Sequence, residues 1–124
     1  MSRFALRRVY EPAAATDGAR VLVDRLWPRG IAKDKARIDL WLKDIAPSDA
    51  LRKRFHGHPE DWDAFCAAYF MELTGTAARD ATRLLFERSR GGPVTLLYAA
   101  RDEQHNNAVA LRMWLERIGN EGDP

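Results

Sequence analysis

The stretch "RVLVDRLWPRG", residues 20–30, decides how the chain is read. Val21, Leu22 and Val23 form a branched apolar run too short for a helix and without polar alternation. That pattern predicts a strand buried on both faces. It stops at Asp24 and Arg25, and Trp27-Pro28-Arg29-Gly30 follows as a corner built from turn formers. A second run of the same kind, "VTLLYAARD" at 94–102, also ends in opposite charges, Arg101 and Asp102. Two buried strands separated by helical segments predict a parallel pair joined by right-handed crossovers.

Working outward, "FALRRVY" (4–10) predicts a further strand, and "EPAAATDG" a loop broken at Pro12 and turned at Asp17-Gly18. Residues 31–45 mix helical spacing with alternation at Ile38, Leu40, Trp41, Leu42 and Ile45. We read them as a helix or helical turns ended by Pro47. Ser48 is placed to cap a helix running through Leu51 and Phe55 to Gly57, and Pro59 to open the next. There Trp62, Phe65, Cys66, Tyr69 and Leu73 share one face, which reads as core rather than as a base-stacking platform. Thr74-Gly75 closes that helix. Thr76 can cap another, with Ala77, Ala81, Leu84, Leu85 and Arg88 on one face, broken by "GGP" at 91–93. The last helix starts near His105 or Asn106 and buries Leu111, Trp114, Leu115 and Ile118. It ends at Gly119, with 119–124 as a frayed tail.

The expected fold is a small helix-rich α/β single domain spanning 1–124, with a short, mostly parallel sheet flanked by helices. A mostly α domain with a minor sheet is the alternative. The 124 residues suffice for one substantial core. With 46% hydrophobic and 31% charged residues the composition is that of an ordinary globular protein. A net charge of +2, with a pI near 8.9, does not by itself imply nucleic acid.

One cysteine, Cys66, excludes an internal disulfide, and no CxxC pair is present. Its position on an apolar helical face predicts a buried structural thiol. The basic start "MSRFALRRVY" lacks the apolar segment of a signal peptide. No apolar run approaches the roughly 18 residues that cross a bilayer, so the chain is expected in the cytoplasm, away from membranes. Walker loop, dinucleotide fingerprint and GxSxG are absent, and no cofactor is expected. "FHGHP" places His56 and His58 near Asp61, which reads as a solvated loop rather than a metal site.

The chemistry gathers at the strand ends. In open α/β sheets ligands bind outside the carboxyl ends of the strands. If the two runs are adjacent, Asp24-Arg25 and Arg101-Asp102 meet there. Beyond them, His105, Asn106 and Asn107 sit at the start of a helix, where unpaired N–H groups attract anions. Arg25, Arg29 and Arg101 are therefore candidate anion ligands, with Trp27, Asp102, Asn106 and Asn107 beside them and Lys33 at the periphery. His105, titrating near neutrality and oriented by Asp24 or Asp102, is the candidate proton relay. Taken singly, each residue has a structural alternative: arginines on backbone carbonyls, asparagine as a cap, Trp27-Pro28 as a plug. Taken together they point to a site.

The segments "RVLVDRLWPRG", "WLKDIAPS", "LRKRFHGHPEDWDAF" and "VTLLYAARDEQHNNAVAL", in this order, resemble the YeaO-like branch of domain-of-unknown-function family 488 (DUF488) from about Arg8 to Leu115. The resemblance implies a small α/β fold and no established reaction. Some members carry a MarR-type regulator label, but no helix-turn-helix pair is visible here. The resemblance also implies a cysteine in the final strand and a Cys-His-Arg cluster after it. This chain has Tyr98 and Asn106-Asn107-Ala108 there, which argues against thiol chemistry.

Three functions follow as expectations. The first is a phosphorylated or other anionic small molecule bound at the strand ends, with or without catalysis. The second is a nucleic-acid or regulatory module using Arg3, Arg7, Arg8 and the Arg52–Arg54 run. The third is a protein-interaction domain whose arginine corner is purely structural.

Overall fold

The computed structural model describes residues 3–120. Four strands, β1 (Phe4–Arg8), β2 (Ala19–Leu22), β3 (Leu40–Trp41) and β4 (Val94–Tyr98), form one sheet in the order β1-β4-β2-β3. All its pairings are parallel: β4 lies between β1 and β2, and β2 pairs with β3 on its other edge. The two runs singled out in the sequence are thus central neighbours, with Val21 opposite Leu96.

Among the described residues five α-helices accompany the sheet: α1 (Lys33–Ala36), α2 (Asp49–Phe55), α3 (Trp62–Glu72), α4 (Thr76–Arg90) and α5 (Asn107–Asn120). Cover on both faces explains the apolar runs Val21–Val23 and Leu96–Tyr98, whose alternate residues face opposite sides of the sheet. Val21, Val23, Leu96 and Tyr98 pack with Tyr69, Leu85, Phe86, Leu111 and Leu115 from the helices. Leu22 and Leu97 point to the opposite face, covered with Val9 by Trp27, Ile31, Ile38 and Trp41. The second cover is thus largely the chain between β2 and β3, rather than a second layer of long helices. Trp27 and Trp41 meet edge to face at 5.4 Å. The turn leading into this cover needs Gly30, whose φ of 81° favours a residue without Cβ. Trp27 Nε1 closes it by donating to the Ile31 carbonyl at 2.7 Å.

The structure corrects the expectation of helical turns throughout 31–45. Only α1 forms; Arg37 then enters the left-handed region at φ 50° and ends it. Leu40-Trp41 becomes an edge strand, and a 3-10 turn follows at Lys43–Ile45. The physical reason is pairing at long range. Trp41 lies opposite Leu22 and its indole N–H donates to the Asp24 carbonyl at 2.7 Å, bonds that local spacing does not encode.

Smaller corrections follow the same logic. Gly75, not Thr76, occupies the cap position of α4. The buried face of α4 is Ala78, Ala81, Thr82, Leu85 and Phe86, a rotation from the predicted one that leaves Ala77 and Arg88 exposed. Helix α5 continues through Gly119 to Asn120, and the rest of the expected tail, 121–124, lies outside the described residues. Ser48 does cap α2, its hydroxyl accepting from Leu51 N–H at 3.1 Å. Among the described residues no helix is long and apolar enough to cross a membrane.

Candidate functional site

The carboxyl ends of β2 and β4 open into a cleft of about 640 Å³. Its floor is Asp24, just past the end of β2. Asp24 Oδ2 accepts from Ala99 N–H at 3.0 Å, and Oδ1 accepts from Asn107 Nδ2 at 2.9 Å. The same Asn107 amide donates to the Val23 carbonyl at 3.0 Å. One side chain at the start of α5 thereby ties the helix to the end of β2. Burial pushes the Asp24 carboxyl above its usual range. The Asn107 bond, the Ala99 bond and the Arg52 charge oppose this without cancelling it.

An Asn107→Asp variant should therefore create a like-charge pair at the floor. We expect a loss of about 2–3 kcal/mol near neutral pH, for two carboxylates that cannot both ionise freely. Both carboxyls would have folded-state pKa values above their unfolded ones. The penalty is thus present above those folded values and disappears as pH falls through them. Urea titrations at pH about 7 and about 4 check this, because the gap between variant and parent must narrow in acid.

Arg25 also lines the cleft, but two of its donors are already used. Nε donates to the Pro47 carbonyl at 3.1 Å and Nη2 to that of Ala46 at 3.2 Å. It fastens the entry to α2, so the corner is a lock as well as a rim. Tyr69, fully buried, holds the same segment through its hydroxyl, which donates to the Ile45 carbonyl at 2.5 Å. Ser48 N–H and Oγ donate to the Glu72 carboxylate, setting α2 against the end of α3.

That setting brings Arg52 and Lys53 of α2 to the cleft, with Phe55, His56 and His58 beyond them. Arg52 Nη2 lies 3.4 Å from Asp49, while its Nε is buried with no hydrogen-bond partner. Trp62 and Phe65 form the apolar wall, stacked on each other at 5.7 Å, with Phe55 edge-on to Phe65 at 5.9 Å.

His105 completes the rim, edge to face with Trp62 at 5.3 Å. Asp102 Oδ1 accepts from Gln104 and His105 N–H groups, and its Oδ2 lies 3.1 Å from His105 Nδ1. The Gln104 and His105 backbone bonds, then the His105 side chain, hold the Asp102 carboxyl below its usual range. Asn106 is buried: Oδ1 accepts from Val109 N–H at 2.9 Å, the N-cap bond of α5, and Nδ2 donates to the Asp102 carbonyl.

Of the residues predicted from sequence, the structure brings Asp24, Arg25, Asp102, His105, Asn106 and Asn107 around one cleft. Trp27, Arg29 and Arg101 do not line it. Trp27 packs under the sheet, while Arg29 and Arg101 are exposed and Arg29 offers its carbonyl to Tyr10 Oη. Arg52, Lys53, Trp62 and Phe65 were assigned other roles in the sequence, a basic run and a core face. Their signal was the adjacency of "LRKRF" and "PEDWDAF" in one helical hairpin. His58, Glu60 and Asp61 place possible ligand atoms within 4.8 Å of one another, all on exposed side chains. Cys66 is buried, and burial followed by the Asp63 charge pushes its thiol up to about 11, which keeps it protonated.

Fold and cleft together define a small parallel α/β domain with a cleft lined by charged residues at the carboxyl edge of its sheet. A family model described as the inactive DUF488-N3 subclade matches residues 3–123, and the chain belongs to this DUF488 family. It is 43% identical to the uncharacterized protein YeaO of Escherichia coli K12 over 112 residues, 90% of this chain and 96% of that one. It is 44% identical over 114 residues to the uncharacterized proteins Mb3100c of Mycobacterium bovis and Rv3073c of Mycobacterium tuberculosis, covering 92% of this chain and 94% of each. No solved structure matches the chain.

Proposed function

We propose that this domain binds a small phosphorylated ligand in the cleft and does not transform it. The observation that carries this reading is the gathering of Arg25, Arg52 and Lys53 along one cleft at the carboxyl end of the sheet. Arg25, Arg52 and Lys53 line it together with His56, His58 and His105, and the carboxylates that line it are Asp24 and Asp102, with Asp49 beside Arg52. Guanidinium groups hold phosphate by charge-assisted bonds. Asp24 and His105, which the sequence suggested as a proton relay, act here as binding groups. With Nδ1 beside Asp102, the other ring nitrogen of His105, at the rim, stays free of protein partners among the described residues. The description of the matched family as inactive supports binding without turnover.

Calorimetry with a panel of nucleotides and sugar phosphates tests this. We expect binding that weakens by at least about tenfold in an Arg52→Ala/Lys53→Ala double variant, and phosphorus NMR of the bound ligand showing no conversion. Undiminished affinity in the double variant sinks the assignment. The nucleic-acid alternative has fewer cations to draw on. Arg7 is paired with Asp17 and Glu11, and Arg8 donates to the Ala99 and Ala100 carbonyls.

A further inference from the structure

We infer that the ligand of this cleft is a ribonucleotide, with its ribose on Asp24, its base against the Phe55–Trp62–Phe65 wall and its phosphate on Arg52 and Lys53. This rests on the phosphate-binding reading above and deepens it. The cleft has three chemically distinct parts, and a bare anion satisfies only one. Its floor is a carboxyl group that repels phosphate when ionised. Each Asp24 oxygen accepts one bond from within the fold, from Ala99 N–H or from Asn107. An ionised carboxylate has about four acceptor positions, so capacity for hydroxyl donors remains. A vicinal diol supplies two such donors, and an acidic side chain near a strand end is a known partner of ribose hydroxyls in parallel sheets.

The wall argues against a plain sugar phosphate. Phe55, Trp62 and Phe65 are half-buried, pack with one another and line the cleft, where a sugar leaves them largely uncovered. A flat base covers such a surface, and stacking on aromatic rings contributes without regard to base identity. The cations lie on α2 while Asp24 and Asn107 lie at the strand end and the start of α5. The cleft of about 640 Å³ is of a size suited to a small ligand reaching all three parts.

The test is calorimetry on the full chain with AMP, UMP, 2′-deoxy-AMP, ribose 5-phosphate and inorganic phosphate. AMP and UMP should bind, ribose 5-phosphate and 2′-deoxy-AMP each at least about tenfold more weakly, and phosphate alone weaker still. An Asp24→Asn variant should erase most of the preference for AMP over 2′-deoxy-AMP. The comparison of these two ligands on the unaltered chain keeps the test sound if that variant folds poorly. Equal binding of AMP and its deoxy form overturns the ribose assignment. Equal binding of ribose 5-phosphate and AMP overturns the base-stacking assignment and leaves the phosphate-binding reading standing. Binding of none of the five overturns both.

Discussion

An Arg20→Ala variant is expected to lose about 3–5 kcal/mol of stability, the usual result of removing one partner from a buried ion pair. Asp17 and Arg20 are 4% and 5% exposed, and Arg20 Nη1 lies 2.5 Å from Asp17 Oδ2. Arg20 also donates through Nε to the Arg37 carbonyl at 2.9 Å and through Nη2 to that of Ala36 at 3.4 Å. Asp17 in turn takes Arg7 Nε at 3.2 Å and Ala14 N–H at 3.0 Å, while its carbonyl accepts from Thr95 Oγ1. This network joins β1, β2, β4 and the α1–β3 connection at the amino-terminal end of the sheet.

Burial alone would raise the Asp17 carboxyl. The Ala14 and Arg20 bonds and the Arg7 and Arg20 charges outweigh it, and hold it below its usual range. A depressed carboxyl contributes stability above its unfolded pKa and loses it as pH falls through the folded value. The parent should therefore weaken in acid, and the variant should show less of that dependence. Urea unfolding as a function of pH measures both. A loss below about 1 kcal/mol, as for an exposed pair, contradicts the assignment.

Gly18→Ala should be comparably damaging, at about 4 kcal/mol from left-handed strain and overpacking together. Gly18 has φ 64° and ψ −136°, a region open essentially to glycine alone. A Cβ there would stand 2.2 Å from the Pro93 carbonyl oxygen, the group that accepts from Ala19 N–H where β2 meets β4. Neither side is a flexible side chain, so the strands themselves must shift. Loss of Tm and of the ligand affinity tested above should go together, because Asp24 and Ala99 are aligned by that same pairing.

Much of the architecture was readable along the chain. "VLV" and "LLY" are apolar in succession because both faces of a central strand are covered, and this marks them as neighbours in a parallel sheet. The two-residue β3 was not readable, since Leu40 and Trp41 fit a helix as well as a strand until Trp41 finds Asp24 and Leu22. The Asp17–Arg20 network was missed because opposite charges three apart look like an ordinary surface pair. Its burial comes from the turn at Arg37 and from β4. At the site, Asp24, Arg25 and His105 were visible as clustered polar residues after apolar runs. Arg101 and Arg29 were visible for the same reason, yet point elsewhere. Arg52 and Lys53, on an exposed-looking helix, reach the cleft because Ser48 and Glu72 fix that helix against α3.

The sequence by itself determined the α/β class, the central strands, the cap of α2 and half of the cleft. Those depend on periodicity and turn chemistry, properties of residues near one another in the chain. Only the tertiary structure decided that Asp24 sits beneath Ala99 and Asn107, 75 and 83 residues away, and that the basic run of α2 faces them. The order β1-β4-β2-β3 places β4 beside β2 despite the helices between them. Contacts across such distances follow from which strands pair, and local spacing carries no record of that choice.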